Sequence, residues 1–174
     1  MKTLGIAGWS NSGKTTLISN LVPLLVRQGI SVSTIKHAHH HFDIDQPGKD
    51  SYEHRRAGAQ EVLVSSRNRW ALVHENITTK ELSLSGLLKK LAPVDLVFIE
   101  GFKFGRHSKI EVFREKINKP LLTKDDPMIC AVVSDVPLKD ILIPVFDIND
   151  YKEISSFIIN ECELLVASRN GSAE

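Results

Sequence analysis

The chain has 174 residues, 42% of them hydrophobic and 25% charged, which suits one soluble globular domain with an ordinary core. Its formal charge of +1 excludes a global pull toward nucleic acid or a membrane surface, so any anion-binding surface has to be local. No apolar run approaches the roughly 18–20 residues that cross a bilayer and no signal-peptide pattern opens the chain, so the reading places the protein in the cytoplasm.

In chain order, residues 3–8 read as a buried strand. Residues 14–28 read as a helix, because Leu17, Ile18, Leu21, Val22, Leu24 and Leu25 recur at helical spacing. Pro23 lies inside that pattern and predicts a kink or an early end, and Gly29 is the stop signal. Residues 31–36 form the next strand, so this strand–helix–strand unit implies a parallel pair with a right-handed crossover. A polar segment leads to a short helix near 50–58. "EVLVSS" (61–66) and "WALVHE" (70–75) read as two strands joined by "RNR", an antiparallel hairpin over about 60–75. A helix is predicted over 79–91, strands over 94–100, 109–115, 128–135 and 143–148, and a last helix over 151–168. The alternation gives an α/β fold with a mainly parallel sheet flanked by helices, in one domain over 1–174, and the phosphate-loop motif described next makes it of P-loop NTPase type. Cys130 and Cys162 form no Cys-x-x-Cys pair and read as buried reduced thiols.

The stretch from Gly8 to Thr15, "GWSNSGKT", fits G-x-x-x-x-G-K-[ST] between a predicted strand and a predicted helix. Such a loop turns successive N–H groups, including those of Asn11, Ser12 and Gly13, toward one anion at a helix N-terminus. Lys14 is expected to reach the β- and γ-phosphates, Thr15 to ligate Mg²⁺, and Thr16 to bind a phosphate oxygen. "DLVFIEG" supplies the other half: Glu100 ends a buried strand and can hold Mg²⁺ through water, and Gly101 lets the backbone pass near the γ-phosphate. Asp95 begins that strand and belongs to its opposite end.

The second dense region is "KHAHHHFDIDQPGKDSYEHRRAGA" (36–59), in which His37, His39, His40 and His41 lie within five residues. Crowded imidazoles suit Zn²⁺ or Ni²⁺, a rim for an anionic ligand or partner, or a solvated loop. Lys36, Lys49 and Asp50 are placed toward the nucleotide. Asp50 suits a second Mg²⁺ contact or a positioned water equally with a helix N-cap. For the base, Asp135 ends a buried strand on the correct edge, and Asn149 follows another. "TKDD" (123–126) mimics a guanine-reading motif around Asp126, yet no buried strand precedes it.

The combination of "GWSNSGKTTL", the histidine-rich run into "PGKDSY", "RWAL", "DLVFIEGFK", "KIEVFR" and "AVVSDVPL…DIND" resembles the MobB family, the molybdopterin-guanine dinucleotide biosynthesis adapters, from the first strand to about residue 160. The resemblance implies a P-loop GTP-binding protein, GTP and Mg²⁺ as ligands, and weak GTPase activity at most. It implies an accessory role toward MobA, the enzyme that joins GMP from GTP to molybdopterin. It also implies a homodimer associating through the protruding hairpin. Gly13, Lys14, Thr15, Thr16, Glu100 and Gly101 match the family's nucleotide residues, while Asn11 stands where a glycine is common. A pterin or partner contact would fall to His37, His39, His40, Lys49, Asp50 and Arg55. The competing expectations are a small-molecule kinase and a metal-insertion GTPase that uses the histidine-rich loop.

Overall fold

The computed structural model describes residues 1–38, 42–77, 80–103 and 105–166. Along the chain they form β1 (Lys2–Ala7), α1 (Lys14–Arg27), β2 (Val32–Lys36), α2 (Asp50–Arg56), β3 (Glu61–Ser65), β4 (Trp70–His74), α3 (Leu84–Leu88), β5 (Leu96–Glu100), β6 (Lys109–Phe113), β7 (Ile129–Ser134), β8 (Val145–Asp147) and α4 (Tyr151–Glu161). They fall into two compact units, one of Met1–His37 with the chain from Lys90 onward, the other of Ala38–Lys89.

The first unit is a six-stranded sheet in the order β2-β5-β1-β6-β7-β8, parallel throughout. Strands β1, β5 and β7 are near-continuous apolar runs because a parallel sheet is covered on both faces. On one face Leu4, Ile6, Phe98, Ile110 and Val133 share an apolar cluster with Leu17, Leu21 and Leu25 of α1 and Ile154 and Ile158 of α4. Each of these side chains contributes on the order of 1.5–3 kcal/mol by leaving water.

Lys109 and Glu111 lie two apart on β6 and are also buried. Lys109 Nζ donates to Asp126 at 2.8 Å. The Glu111 carboxylate accepts the N–H groups of Leu122 and Thr123 at 2.7 and 2.9 Å, which ties the β6–β7 connection to the sheet. Burial pushes the Glu111 carboxyl above the usual carboxylate range, against the pull of those two donors.

Pro23 neither kinks α1 into two pieces nor ends it. The helix runs unbroken to Arg27, with Pro23 on its exposed side, where the carbonyl that loses its helical donor meets water. Gly29 does stop it, at φ 84°, with Gly29 N–H donating to Val26 and Ile30 N–H to Leu25, the paired bonds of a Schellman ending. The helix predicted over 79–91 contracts to Leu84–Leu88, capped by Ser83, whose hydroxyl accepts Gly86 N–H. Ser85 and Gly86 within it weaken helix propensity. The last helix ends at Glu161 rather than near 168, as Glu163 turns into the left-handed region at φ 50°.

The second unit contains the antiparallel hairpin. β3 and β4 form a separate two-stranded sheet in which Leu63 faces Leu72 and Glu61 faces His74.

Candidate nucleotide-binding site

Parallel strands bring their carboxyl ends to one edge, and ligands in such sheets bind there, beyond the strand ends. β1 lies between β5 and β6, so the loop that leaves Ala7 is flanked by Glu100 on one side and Arg114 on the other.

The loop has the backbone that an anion cradle requires. Gly8 has φ +143°, and a Cβ there would lie 2.6 Å from both Ser12 Oγ and the Val112 carbonyl. Gly13 has φ +99° and directly precedes α1, with its carbonyl accepting Leu17 N–H. Asn11 stands in the left-handed region at φ 63°, a conformation asparagine tolerates better than most residues, so its presence in place of glycine leaves the turn intact.

Lys14 Nζ folds back on the loop and donates to the carbonyls of Gly8 and Trp9 at 3.1 and 2.9 Å. Burial, reinforced by the like charges of Lys103 and Lys36 and opposed by Glu100, holds this ammonium below the usual lysine range. An arriving anion relieves that cost. Thr15 follows on α1, and its hydroxyl donates to Glu100 Oε2 at 3.3 Å. Lys36, ending β2, places Nζ 3.9 Å from Glu100 Oε1. A hydroxyl and a carboxylate facing each other are the oxygen donors that Mg²⁺ takes, so the residues fit that ion. Thr15 and Glu100 are the residues that would hold it.

Gly101 has φ +110°, and a Cβ there would lie 2.9 Å from the Cβ and carbonyl of His37. His37 N–H donates to the Glu100 carbonyl at 2.8 Å, and its ring lies 4.7 Å from that of Phe102. His37 is therefore packed beside the Glu100 strand end. On the same side, Thr15, Ile18, Val22, Ile35, Lys36 and Glu100 line a groove of about 430 Å³.

On the other side, Ser134, Asp135, Pro137, Phe146 and Asp147 line a cleft of about 210 Å³. Asp135 Oδ1 accepts Glu115 N–H at 3.0 Å. Asn149 N–H donates to Asp147 Oδ1 at 2.7 Å. Asp126 plays no part at this edge: it precedes β7, at the opposite end of the sheet from the loop, and receives Lys109 Nζ and Met128 N–H. Asp95 is likewise remote, and its Oδ2 accepts both Ser31 N–H and the Ser31 hydroxyl.

Residues 3–135 match the family model described as molybdopterin guanine dinucleotide synthesis protein B, MobB. The molybdopterin-guanine dinucleotide biosynthesis adapter protein of Escherichia coli strain K12 is 42% identical over 159 residues, 90% of each chain. The chain belongs to the MobB family. The Haemophilus influenzae adapter protein is 41% identical over 90% of this chain and 87% of its own length. The crystal structure of a MobB protein homolog from Bacillus stearothermophilus matches with a TM-score of 0.72 at 27% identity, covering 94% of this chain and 99% of that one.

Membership in MobB does not by itself assign the residues of 36–59. Of the histidine cluster, His39, His40 and His41 lie outside the described residues. Among the described residues no group of three or more His, Cys, Asp or Glu is placed to hold a metal ion. Within the second unit, Arg55 is gripped by three carboxylates: Nη2 by Asp43, Nε by Asp45 at 3.1 Å and Nη1 by Glu75 at 3.0 Å. These bonds, Asp43's foremost, raise the guanidinium further above its already high range. Arg55 thus serves to tie 43–45 and Glu75 to α2. Lys49 is the N-cap of α2 and Asp50 its first residue, so Asp50 is an acid in the first turn rather than the cap.

Sequence reasoning missed two residues of this MobB loop. Arg114 leaves β6 and donates from Nε to the Ser12 carbonyl at 3.2 Å, while its Nη1 stands 3.7 Å from Asp135 Oδ2. Lys103 lies with Nζ 4.9 Å from the centroid of the Trp9 ring. Arg114 had a signal: it directly follows "KIEVF", a strand that has to flank β1. Lys103 opens "KFGRHSK" (103–109), which the sequence offers as part of a kinase lid but not as a contact of this loop.

Proposed function

We propose that the protein binds GTP with Mg²⁺ in this loop and acts as a GTP-binding adapter for a MobA-type guanylyltransferase that attaches GMP to molybdopterin. The observation that carries the reading is the juxtaposition of Lys14, Thr15 and Glu100 at the β1 edge of a MobB-family chain. Thr16 and the N–H groups of Asn11 and Gly13 complete the phosphate contacts, Ser12 N–H would join them by exchanging its 3.2 Å bond to the Trp9 carbonyl, and Gly101 keeps the backbone close. The base is assigned to the cleft between the ends of β7 and β8, which Asp135 lines and beyond which Asn149 follows. The residues around the loop hold charge. Fast hydrolysis would also require an oriented water and commonly an arginine finger, so turnover is expected to be slow at most.

Two associations belong to this reading. The hairpin face of Leu63, Trp70 and Leu72, exposed by 61%, 68% and 44%, is an apolar surface that a second copy would cover, giving a homodimer. An anionic pterin would meet Lys36 and His37 at the edge of the sheet unit. The work is placed in the cytoplasm; among the described residues no helix is long and apolar enough to cross a membrane.

Calorimetric titration with GTP and with ATP, each with Mg²⁺, tests the reading. It is repeated with Zn²⁺ or Ni²⁺ and no nucleotide. GTP-selective binding without tight metal uptake is the expected result. A preference for ATP would favour a small-molecule kinase, and tight stoichiometric Zn²⁺ or Ni²⁺ uptake would favour metal delivery.

A further inference from the structure

Two lysines outside the loop motif lie over the indole of Trp9, the second residue of the loop. The ring is pinned by its own Nε1–H, which donates to the Pro120 carbonyl at 2.8 Å. Lys103 Nζ lies 4.9 Å and Lys119 Nζ 5.6 Å from its centroid. Cations gather here although the whole chain carries a formal charge of only +1.

Three other lysines of the sheet unit lie beside acids. Lys2 pairs with Glu163, Lys109 with Asp126, and Lys36 approaches Glu100. Among the described residues no carboxylate pairs with Lys103. The aromatic face that holds it is a weaker partner than an ionised oxygen. Its backbone, by contrast, is fixed. Lys103 N–H donates to the Gly101 carbonyl at 2.8 Å, closing a tight turn, and Phe102 anchors that turn against His37. The turn directly follows Glu100, which faces the Thr15 hydroxyl, and so lies on the side of the loop where a terminal phosphate and its metal belong.

We propose that Lys103 is a second phosphate-binding lysine, parked on Trp9 and recruited by the terminal phosphate of a nucleoside triphosphate. The fixed turn supplies the position, the long side chain supplies the reach, and the aromatic face supplies a partner that an anion outcompetes. The like charges of Lys103 and Lys14 disfavour each other until a polyanion lies between them. Because it engages only the last phosphate, Lys103 distinguishes triphosphate from diphosphate. Lys14, by contrast, serves both.

This inference rests on the nucleotide reading above. Its test compares the full-length protein with Lys103→Gln, Lys103→Arg and, as control, Lys119→Gln. Each is titrated with GTP and GDP in the presence of Mg²⁺. Lys103→Gln is expected to weaken GTP about tenfold and GDP less than about twofold, the loss of one charge-assisted contact to one phosphate. Lys103→Arg should retain the preference for GTP, and Lys119→Gln should match the parent for both nucleotides. Equal weakening of GTP and GDP by Lys103→Gln would reduce Lys103 to a support of the loop, and no change in either would remove it from the site. Should the parent bind neither nucleotide, the nucleotide reading itself fails. Inorganic tripolyphosphate against pyrophosphate then puts the same question to Lys103, and equal effects there overturn the inference separately.

Discussion

The two compact units handle their apolar residues in opposite ways. In the sheet unit Leu4, Leu21, Leu25, Phe98 and Ile154 are wholly buried, and the loop stands on a framework that is complete within one chain. In the unit of Ala38–Lys89 only Val62 among the hairpin's apolar residues is buried, and Leu63, Val64, Trp70 and Leu72 face outward. An isolated two-stranded sheet is marginal in water, and within this unit the Arg55 bonds to Asp43, Asp45 and Glu75 add to it. The contrast separates ligand chemistry from assembly. A phosphate loop needs rigid backbone and a few charges, whereas an association surface needs area.

Substitutions can break that separation. The largest effect is expected from Lys14→Ala, which should weaken GTP binding by about 2–4 kcal/mol through lost charge-assisted contacts while leaving the oligomeric state unchanged. Calorimetry and sedimentation on the same sample check both halves. The converse is Leu63→Asp combined with Leu72→Lys. It should shift sedimentation from dimer to monomer and leave the GTP dissociation constant within about twofold, because the loop's framework does not use the hairpin's apolar face. A variant that loses GTP binding along with dimerisation would show that the site is shared between protomers.

A smaller effect sharpens the picture within the sheet unit. Arg114 donates to the Ser12 carbonyl at 3.2 Å, a contact with the loop backbone. Arg114→Gln should therefore act through loop geometry and weaken GTP and GDP equally, by about 1 kcal/mol or roughly fivefold. An effect on GTP alone would place the guanidinium on the ligand side. The smallest effect concerns the thiols. Burial pushes Cys130 up to about 12 and Cys162 up to about 11. At pH 8 both should stay protonated, and a disulfide reagent should label them on the order of a hundredfold more slowly than in urea.

What was legible in the sequence follows the same division. The order β1–loop–α1, the acid at the end of β5 and the hairpin depend on residues near one another in the chain, and local pattern suffices for them. The guanine-like "TKDD" was separated from the base edge on equally local grounds, because no buried strand leads into it. Arg114 and Lys103 were not legible as loop residues. Each reaches the loop from a neighbouring strand end, and strand order, not spacing, brings them there. Arg55 was read as a ligand contact because its demand for three carboxylates arises only when Asp43, Asp45 and Glu75 converge in three dimensions. The helix expected over 79–91 failed for a related reason: leucines at helical spacing are necessary, but Gly86 and two serines within reach of the backbone shorten what they can hold.

The sheet order has a consequence for how such a protein changes over generations. β2 and β5 are adjacent and in continuous register from Val32 opposite Leu96 to Lys36 opposite Glu100, yet the whole of Ala38–Lys89 lies between them in the chain. The second unit takes the place that a plain crossover helix occupies in a simpler α/β fold. None of the hydrogen bonds in the six-stranded ladder comes from it. Drift in the hairpin or the histidine-rich run therefore leaves the ladder under the nucleotide site intact, which makes this insertion the part of the chain freest to acquire, tune or exchange a partner.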